Sequence, residues 1–173
     1  MKLIKHEDMI LQGYGTIRAW ERGVIPELFY QGYPLAEIRN IIMPVYENTV
    51  HNLIVSVGKF MVGDWAIDIE ATGLTYHAFG TGTTAPALSD TTLTTESERK
   101  LWTTRSRSSN VITLSVFYAA AQCTYNIKEC GIFGGASAGA GADSGVLFSH
   151  YLQAYDNSGG NNDLTFDYNL TIG

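Results

Sequence analysis

The clearest pattern lies at the C-terminal end of the chain. Residues 163–172 read DLTFDYNLTI, in which Leu164, Phe166, Tyr168, Leu170 and Ile172 alternate with Thr165, Asp167, Asn169 and Thr171. A period of two over a full strand predicts one face on a core and one polar face, with Phe166, Tyr168 and Leu170 inward. Residues 111–118 (VITLSVFY) are β-branched and aromatic and predict a second strand. Further strands are predicted at 74–79 (LTYHAF), 124–133 (TYNIKECGIF) and 145–152 (GVLFSHYL). In 124–133 the apolar phase moves from Tyr125 and Ile127 to Cys130 and Ile132, which a bulge near Glu129 or Gly131 explains. Loops of small residues, 134–145 (GGASAGAGADSG) and 157–162 (NSGGNN), separate the strands and predict antiparallel connections.

Helical spacing occurs in one place. Leu53, Val57, Phe60, Met61 and Trp65 follow Asn52, a good N-cap, and predict a short helix. A second short helix or turn is expected over 90–101, capped by Asp90 or Thr91, with Glu96, Glu98, Arg99 and Lys100 facing solvent. The first 50 residues differ. Residues 15–20 (GTIRAW) predict a strand with a turn at 21–23, but Pro26, Pro34 and Pro44 punctuate the rest. This segment is expected to be an N-terminal β-ribbon or arm over residues 1–50 that contacts neighbouring subunits. Its apolar residues Ile4, Ile10, Leu28, Phe29, Ile41 and Ile42 would need such a neighbour to cover them. Residues 51–173 are expected to form the main domain, a mainly β antiparallel sandwich or jelly roll with one or two short helices.

Composition narrows the function classes. Only 16% of the 173 residues are charged, against about 25% in ordinary globular chains, so part of the surface is expected to be covered by partners. The net charge of −6 gives no electrostatic footprint for nucleic acid. No apolar run reaches membrane-spanning length, and His6, Glu7 and Asp8 interrupt the first residues before a secretory h-region forms. Cys123 and Cys130 are therefore expected to be free, buried thiols made in a reducing cytoplasm.

None of the reactive residue types forms a recognisable constellation. Gly80-Thr81-Gly82-Thr83-Thr84 is followed by Ala85-Pro86 instead of the Gly-Lys-Ser/Thr of a phosphate loop. His6, His51, His77 and His150 lack metal spacing. Asp64, Asp68 and Glu70 cluster after the predicted helix but do not match the calcium loop, and a solvated helix end accounts for them. Ser106, Ser108 and Ser109 lie in a polar loop with Arg105 and Arg107, outside any GxSxG elbow. Trp20, Trp65 and Trp102 are candidates for an aromatic ligand cluster, with a core or subunit interface as the simpler reading. No catalytic, cofactor-binding or metal-ligating residue is assigned, and no enzymatic activity is expected.

From residue 50 onward the chain resembles small β-rich structural proteins of tailed bacteriophage particles, of the tail-collar, fibre-associated or capsid-decoration type. The resemblance begins with HNLIVSVGKF at 51–60. It continues through GTGTTAPALSDTTLTTESER, where Gly80, Gly82, Thr83, Asp90, Thr91, Leu93, Glu96 and Arg99 match the pattern. Glu129, Gly131, Ile132 and Phe133 then match an E-x-G-I/L-F strand, and Gly145, Leu147, Phe148 and Ser149 a G-x-L-F-S/A step. Leu164, Thr165, Phe166, Tyr168, Leu170 and Thr171 match the closing strand. The resemblance implies a non-enzymatic virion building block, synthesised in the host cytoplasm. Its expected partners are capsid, neck or tail proteins and further copies of itself, with no nucleic acid or membrane. A capsid-decoration or neck/collar protein is the first expectation. A tail-tip, baseplate or fibre-attachment protein and a glycan-binding β-sandwich are the alternatives.

Overall fold

The computed structural model describes residues 10–173. In chain order its elements are β1 (Leu11–Glu21), α1 (Val24–Tyr30), α2 (Leu35–Ile41), β2 (Tyr46–His51), β3 (Leu53–Ile54) and α3 (Ser56–Ala66). There follow β4 (Leu74–Gly80), β5 (Glu96–Leu101), β6 (Thr104–Ser108), β7 (Val111–Tyr118), β8 (Asn126–Gly134), β9 (Val146–Asp156) and β10 (Asn162–Ile172). They form two five-stranded antiparallel sheets. Sheet A has the order β2-β1-β10-β7-β6 and sheet B the order β3-β9-β8-β4-β5. The expected mainly β sandwich with short helices is what the chain forms.

The alternation in β10 governs the core. Leu164, Phe166, Tyr168 and Leu170 are all buried, and their side chains meet Ile132, Phe79, Phe148 and Tyr151 of the opposing sheet in one cluster. Phe166 stacks on Phe79 with centroids 5.9 Å apart and meets Tyr118 edge-on at 5.6 Å. β8 is the most buried strand because both its faces are covered. Cys130 and Ile132 face the main core, while Phe133 belongs to a second cluster with Val55, Ala78, Leu93 and Leu147 on the outer side of sheet B. Its register with β9 shifts between Ile127 and Glu129 and again between Ile132 and Phe133. The first shift accounts for the change of apolar phase, since an irregular pairing step moves successive side chains to the other face.

Three expectations need correction. The helix begins at Ser56 with Val55 as N-cap, not at Asn52. Asn52 instead lies between β2 and β3, where its amide donates to Tyr168 Oη at 2.6 Å and to Ser149 Oγ. α3 then packs tightly on β9, and Gly58 makes this approach possible. A Cβ there would stand 2.2 Å from the Phe148 carbonyl oxygen.

Residues 90–101 form no helix. Asp90 closes a turn by accepting the Ala87 N–H at 2.8 Å, and β5 follows. Glu96 and Arg99 are an ion pair at helical spacing, yet the register shift opposite Phe79/Gly80 puts both on the outer face of sheet B. There Arg99 is buried, not solvated. Its guanidinium lies 4.4 Å from the Phe133 ring centroid and donates to the carbonyls of Gly139 and Ser144.

The N-terminal segment is no separate arm within the described residues. β1 runs the length of sheet A between β2 and β10, with Ile17, Ala19 and Trp20 buried. The three prolines sit where elements start: Pro26 in the first turn of α1, Pro34 as N-cap of α2, and Pro44 shortly before β2. Proline is tolerated there because those N–H groups have no helical partner. Leu28 and Phe29 are covered by their own chain, packing with Trp20, Ile25, Leu35, Ile38 and Phe117 on the outer side of sheet A. Ile41 and Ile42 remain exposed, as does Ile10. Ile4 and His6 lie outside the described residues.

Candidate functional site

The residues that carry the family-like pattern converge on one buried structure. The Glu129 side chain is fully buried on the outer side of sheet B. Its carboxylate accepts the backbone N–H groups of Gly82 at 3.0 Å, Thr94 at 3.0 Å and Thr95 at 2.7 Å. His150 Nε2 stands 3.1 Å from its other side, and His150 Nδ1 stands 2.7 Å from Asp90 Oδ2. Each ring nitrogen faces one carboxylate oxygen at hydrogen-bond distance. The loop 81–95 is thus clasped to the sheet at two places, and Leu93 fills the space between. Gly82 has no room for a side chain, since a Cβ would lie 2.3 Å from Glu129 Oε1.

This geometry explains the glycine-rich stretch without a phosphate. The Gly82 N–H that would serve an anion already faces an internal carboxylate. It also places His150 as a structural group, enclosed and hydrogen-bonded at both nitrogens. Sequence reasoning misses the clasp as a unit. The available signal is Glu129 itself, a carboxylate inside an otherwise apolar strand, which demands buried donors.

The other histidines lie elsewhere. His51 is exposed and lies tilted against Tyr14 with centroids 4.3 Å apart. His77 points into the main core between Tyr118, Trp102 and Phe166. Its Nδ1 lies 3.2 Å from Tyr118 Oη, which in turn donates to the His77 carbonyl at 3.0 Å. Burial pushes this imidazole down from 6.5 to about 3. The unfolded chain therefore takes up a proton below pH 6.5 that the folded core refuses until about pH 3. This contribution to stability is complete above pH 6.5 and falls by about 1.4 kcal/mol per pH unit as acid is added through that window. His77→Phe is expected to flatten that part of the acid limb in denaturation curves measured at successive pH values. Parallel limbs for the variant and the parent would rule the assignment out.

A cleft of about 840 Å³ opens at one end of the sandwich. Leu74, Ile112, Leu114 and Leu170 supply apolar walls, and Trp65 stands beside them. Arg105 and Arg107 of β6 also line it. They pair in register with Leu114 and Ile112 of β7, so they share the inner side of sheet A with those residues. Asp68 and Glu70 form the other rim. Glu70 is held by the N–H groups of Ala136 at 2.8 Å and Thr72 at 2.6 Å, which lower its pKa, Ala136 most. Asp64 does not join them at the cleft. Ser106 lines the cleft, whereas Ser108 and Ser109 lie exposed at the β6–β7 turn.

The three tryptophans do not form one cluster. Trp20 donates to Thr165 Oγ1 at 3.1 Å beneath α1 and α2, Trp102 is buried beside His77, and only Trp65 reaches the cleft. Cys123 and Cys130 are free and buried. Burial pushes the Cys123 thiol up to about 11 and Cys130 higher still, which leaves both poor nucleophiles.

The surface also carries exposed apolar side chains, among them Phe60, Ile67 and Ile69 at and after α3 and a strip near α2. Ile41, Ile42, Met43 and Val45 run exposed from the end of α2 to β2, Met43 at 79% and Val45 at 58%. Tyr30 is 89% exposed on α1, and Val24, Leu28, Ile41 and Ile42 line a shallow groove between the two helices. No family model matches the chain, and no curated protein or solved structure matches it either.

Proposed function

We propose that this chain is a non-enzymatic structural subunit of a tailed-phage particle, a capsid-decoration or neck/collar protein that stabilises the particle through subunit contacts. The observation that carries this reading is the apolar strip from Ile41 to Val45 with Tyr30 nearby. A chain with few charges that leaves such side chains in water has a surface suited to protein contact. The order of the family-like motifs supports the phage assignment. Gly82, Asp90, Leu93 and Glu129 of these motifs meet in the clasp, which gives them a structural reason, since they hold a long loop to the sheet. The expected partners are other virion proteins and further copies of the chain, in the assembled particle after synthesis in the host cytoplasm. Immunogold labelling of purified particles tests the reading. Label over the head or neck is expected. Label confined to the distal tail would favour a tail-tip, baseplate or fibre-attachment role, and unlabelled particles would overturn the virion assignment.

A second reading, a β-sandwich that binds a glycan or another small molecule, is favoured by the cleft. It has apolar walls, a tryptophan and a few polar groups converging on one space, as small-molecule sites do. Trp65 fluorescence provides the test. A saturable change on titration with an oligosaccharide panel, lost on removing Arg105 and Arg107, would support this reading over a purely structural one.

A further inference from the structure

A sandwich of two open sheets has four edges, here β2 and β6 in sheet A and β3 and β5 in sheet B. An open edge offers unpaired backbone groups to any passing strand, and proteins blunt their edges to prevent this. Three of the four are blunted. β3 is two residues long. β6 carries two exposed arginines, Arg105 and Arg107, on the cleft side beside Leu114 and Ile112, so a second copy of β6 would bring like charges together. β5 carries Glu96, Glu98, Arg99 and Lys100, and the 139–144 loop is tied to it through Arg99. Among the described residues, β2 has no such device. It is six residues, YENTVH, without lysine, arginine, proline or a register shift.

We infer that β2 is the seam of a two-fold dimer, in which the β2 strands of two copies pair antiparallel and join two A sheets into one. The inference rests on the subunit-contact reading above and names the contact. Backbone geometry fixes which groups are free. The Asn52 N–H reaches the Gly13 oxygen at 3.2 Å, and in the same register Val50, Asn48 and Tyr46 turn their backbone groups towards β1. Those of Glu47, Thr49 and His51 therefore face the open edge.

Side chains select the register. On the outer face of sheet A the cross-strand rows run Asp167–Arg18–Glu47 and Thr16–Thr49, the two threonine hydroxyls 2.8 Å apart, and Tyr14–His51. Centring the two-fold axis on Thr49 continues every row. Thr49 meets its own copy, and Glu47 meets His51 of the partner subunit, an acidic group against a basic or polar ring. Cross-strand pairs of this kind favour one register over its neighbours. Six paired residues alone cover too little area for a stable complex, which needs roughly 1,000 Å². The exposed Ile42, Met43 and Val45 lead directly into β2, and the two-fold axis places one such strip at each end of the seam.

The test is made on the full chain in solution. Sedimentation velocity over a micromolar concentration series is expected to show a dimer. Thr49→Cys should then form an intermolecular disulfide on mild oxidation. Directly opposed hydrogen-bonded residues lie about 5.5 Å apart at Cα, within disulfide reach. Both native thiols are buried and leave the background clean. Ser108→Cys, on the β6 edge, should stay unlinked. Thr49→Pro removes an edge-facing N–H and should give a monomer with an unchanged circular dichroism spectrum. If that variant fails to fold, Val45→Lys serves, with dimer affinity expected to drop about tenfold or more through loss of one apolar contact. A monomeric parent, a trimer, or equal cross-linking of Ser108→Cys would overturn the β2 seam. None of those results touches the virion assignment, which the labelling experiment decides separately.

Discussion

Replacing Phe166 by aspartate is expected to lower the unfolding free energy by about 5 kcal/mol, enough to leave little folded protein in a domain of ordinary stability. The ring is buried at the centre of the sandwich between Phe79, Tyr118 and His77. The substitution removes that aromatic packing and puts a carboxylate where no hydrogen-bond donor waits. The nearest titratable neighbour, His77, is held neutral by the same burial, so it offers no ready counter-charge. Urea denaturation of the purified variant is the measurement. A midpoint close to that of the parent would mean that β10 presents its other face to the core.

Glu129→Ala is expected to cost about 4 kcal/mol, because buried donors left without their acceptor cost about 1–3 kcal/mol each. Three backbone N–H groups and His150 Nε2 lose their acceptor together. The Gly82 N–H and His150 Nε2 are left buried and unpaired, and that penalty outweighs the lost contact itself. The cost has a location as well as a size. With its clasp gone, the 81–95 loop should open to limited proteolysis before the sandwich melts. Glu129→Gln should fall between the two, because one oxygen can still serve Gly82 and Thr95 while the amide faces the Thr94 N–H. A loss under about 1 kcal/mol for the alanine variant would show that the loop is held by Leu93 and its neighbours instead.

How far the sequence reveals this molecule depends on whether a local pattern decides the outcome. β7 and β10 are legible almost to the residue, because each must put alternate side chains on a core. β4, β8 and β9 are legible in position, with their ends off by a few residues. α1 and α2 are hidden by Pro26 and Pro34, which signal breaks, although at a helix start they are compatible with helix. β5 is hidden by Glu96 and Arg99, whose spacing imitates a helix until the extra residue at Ser97, opposite Phe79 and Gly80, accounts for it. The clasp is the hardest to see. Its members are Gly82, Asp90, Thr94, Thr95, Glu129 and His150, brought together only when the sheet forms and the loop folds over it. The family-like motif marks three of these positions, Gly82, Asp90 and Glu129, without saying what they do. Arg105 and Arg107 are legible as a local concentration of positive charge, but their inward direction follows from pairing with β7.

The pairing of β1 with β10 also bears on how the protein is made. Leu11 lies opposite Ile172, and the backbones of Ile10 and Gly173 exchange two hydrogen bonds of 2.8 Å. β10 is at once the middle strand of sheet A and the last of the sandwich's described strands in chain order. Until it emerges, β2 and β1 on one side and β7 and β6 on the other have nothing to join them, and the aromatic centre of the core is missing. Contacts so distant in sequence make folding slow, on the millisecond-to-second scale typical of such topologies. They also postpone it until synthesis of this segment is finished. The apolar edges of β1 and β7 stay open through that interval, so the yield of folded protein should depend on how fast β10 arrives relative to encounters between nascent chains.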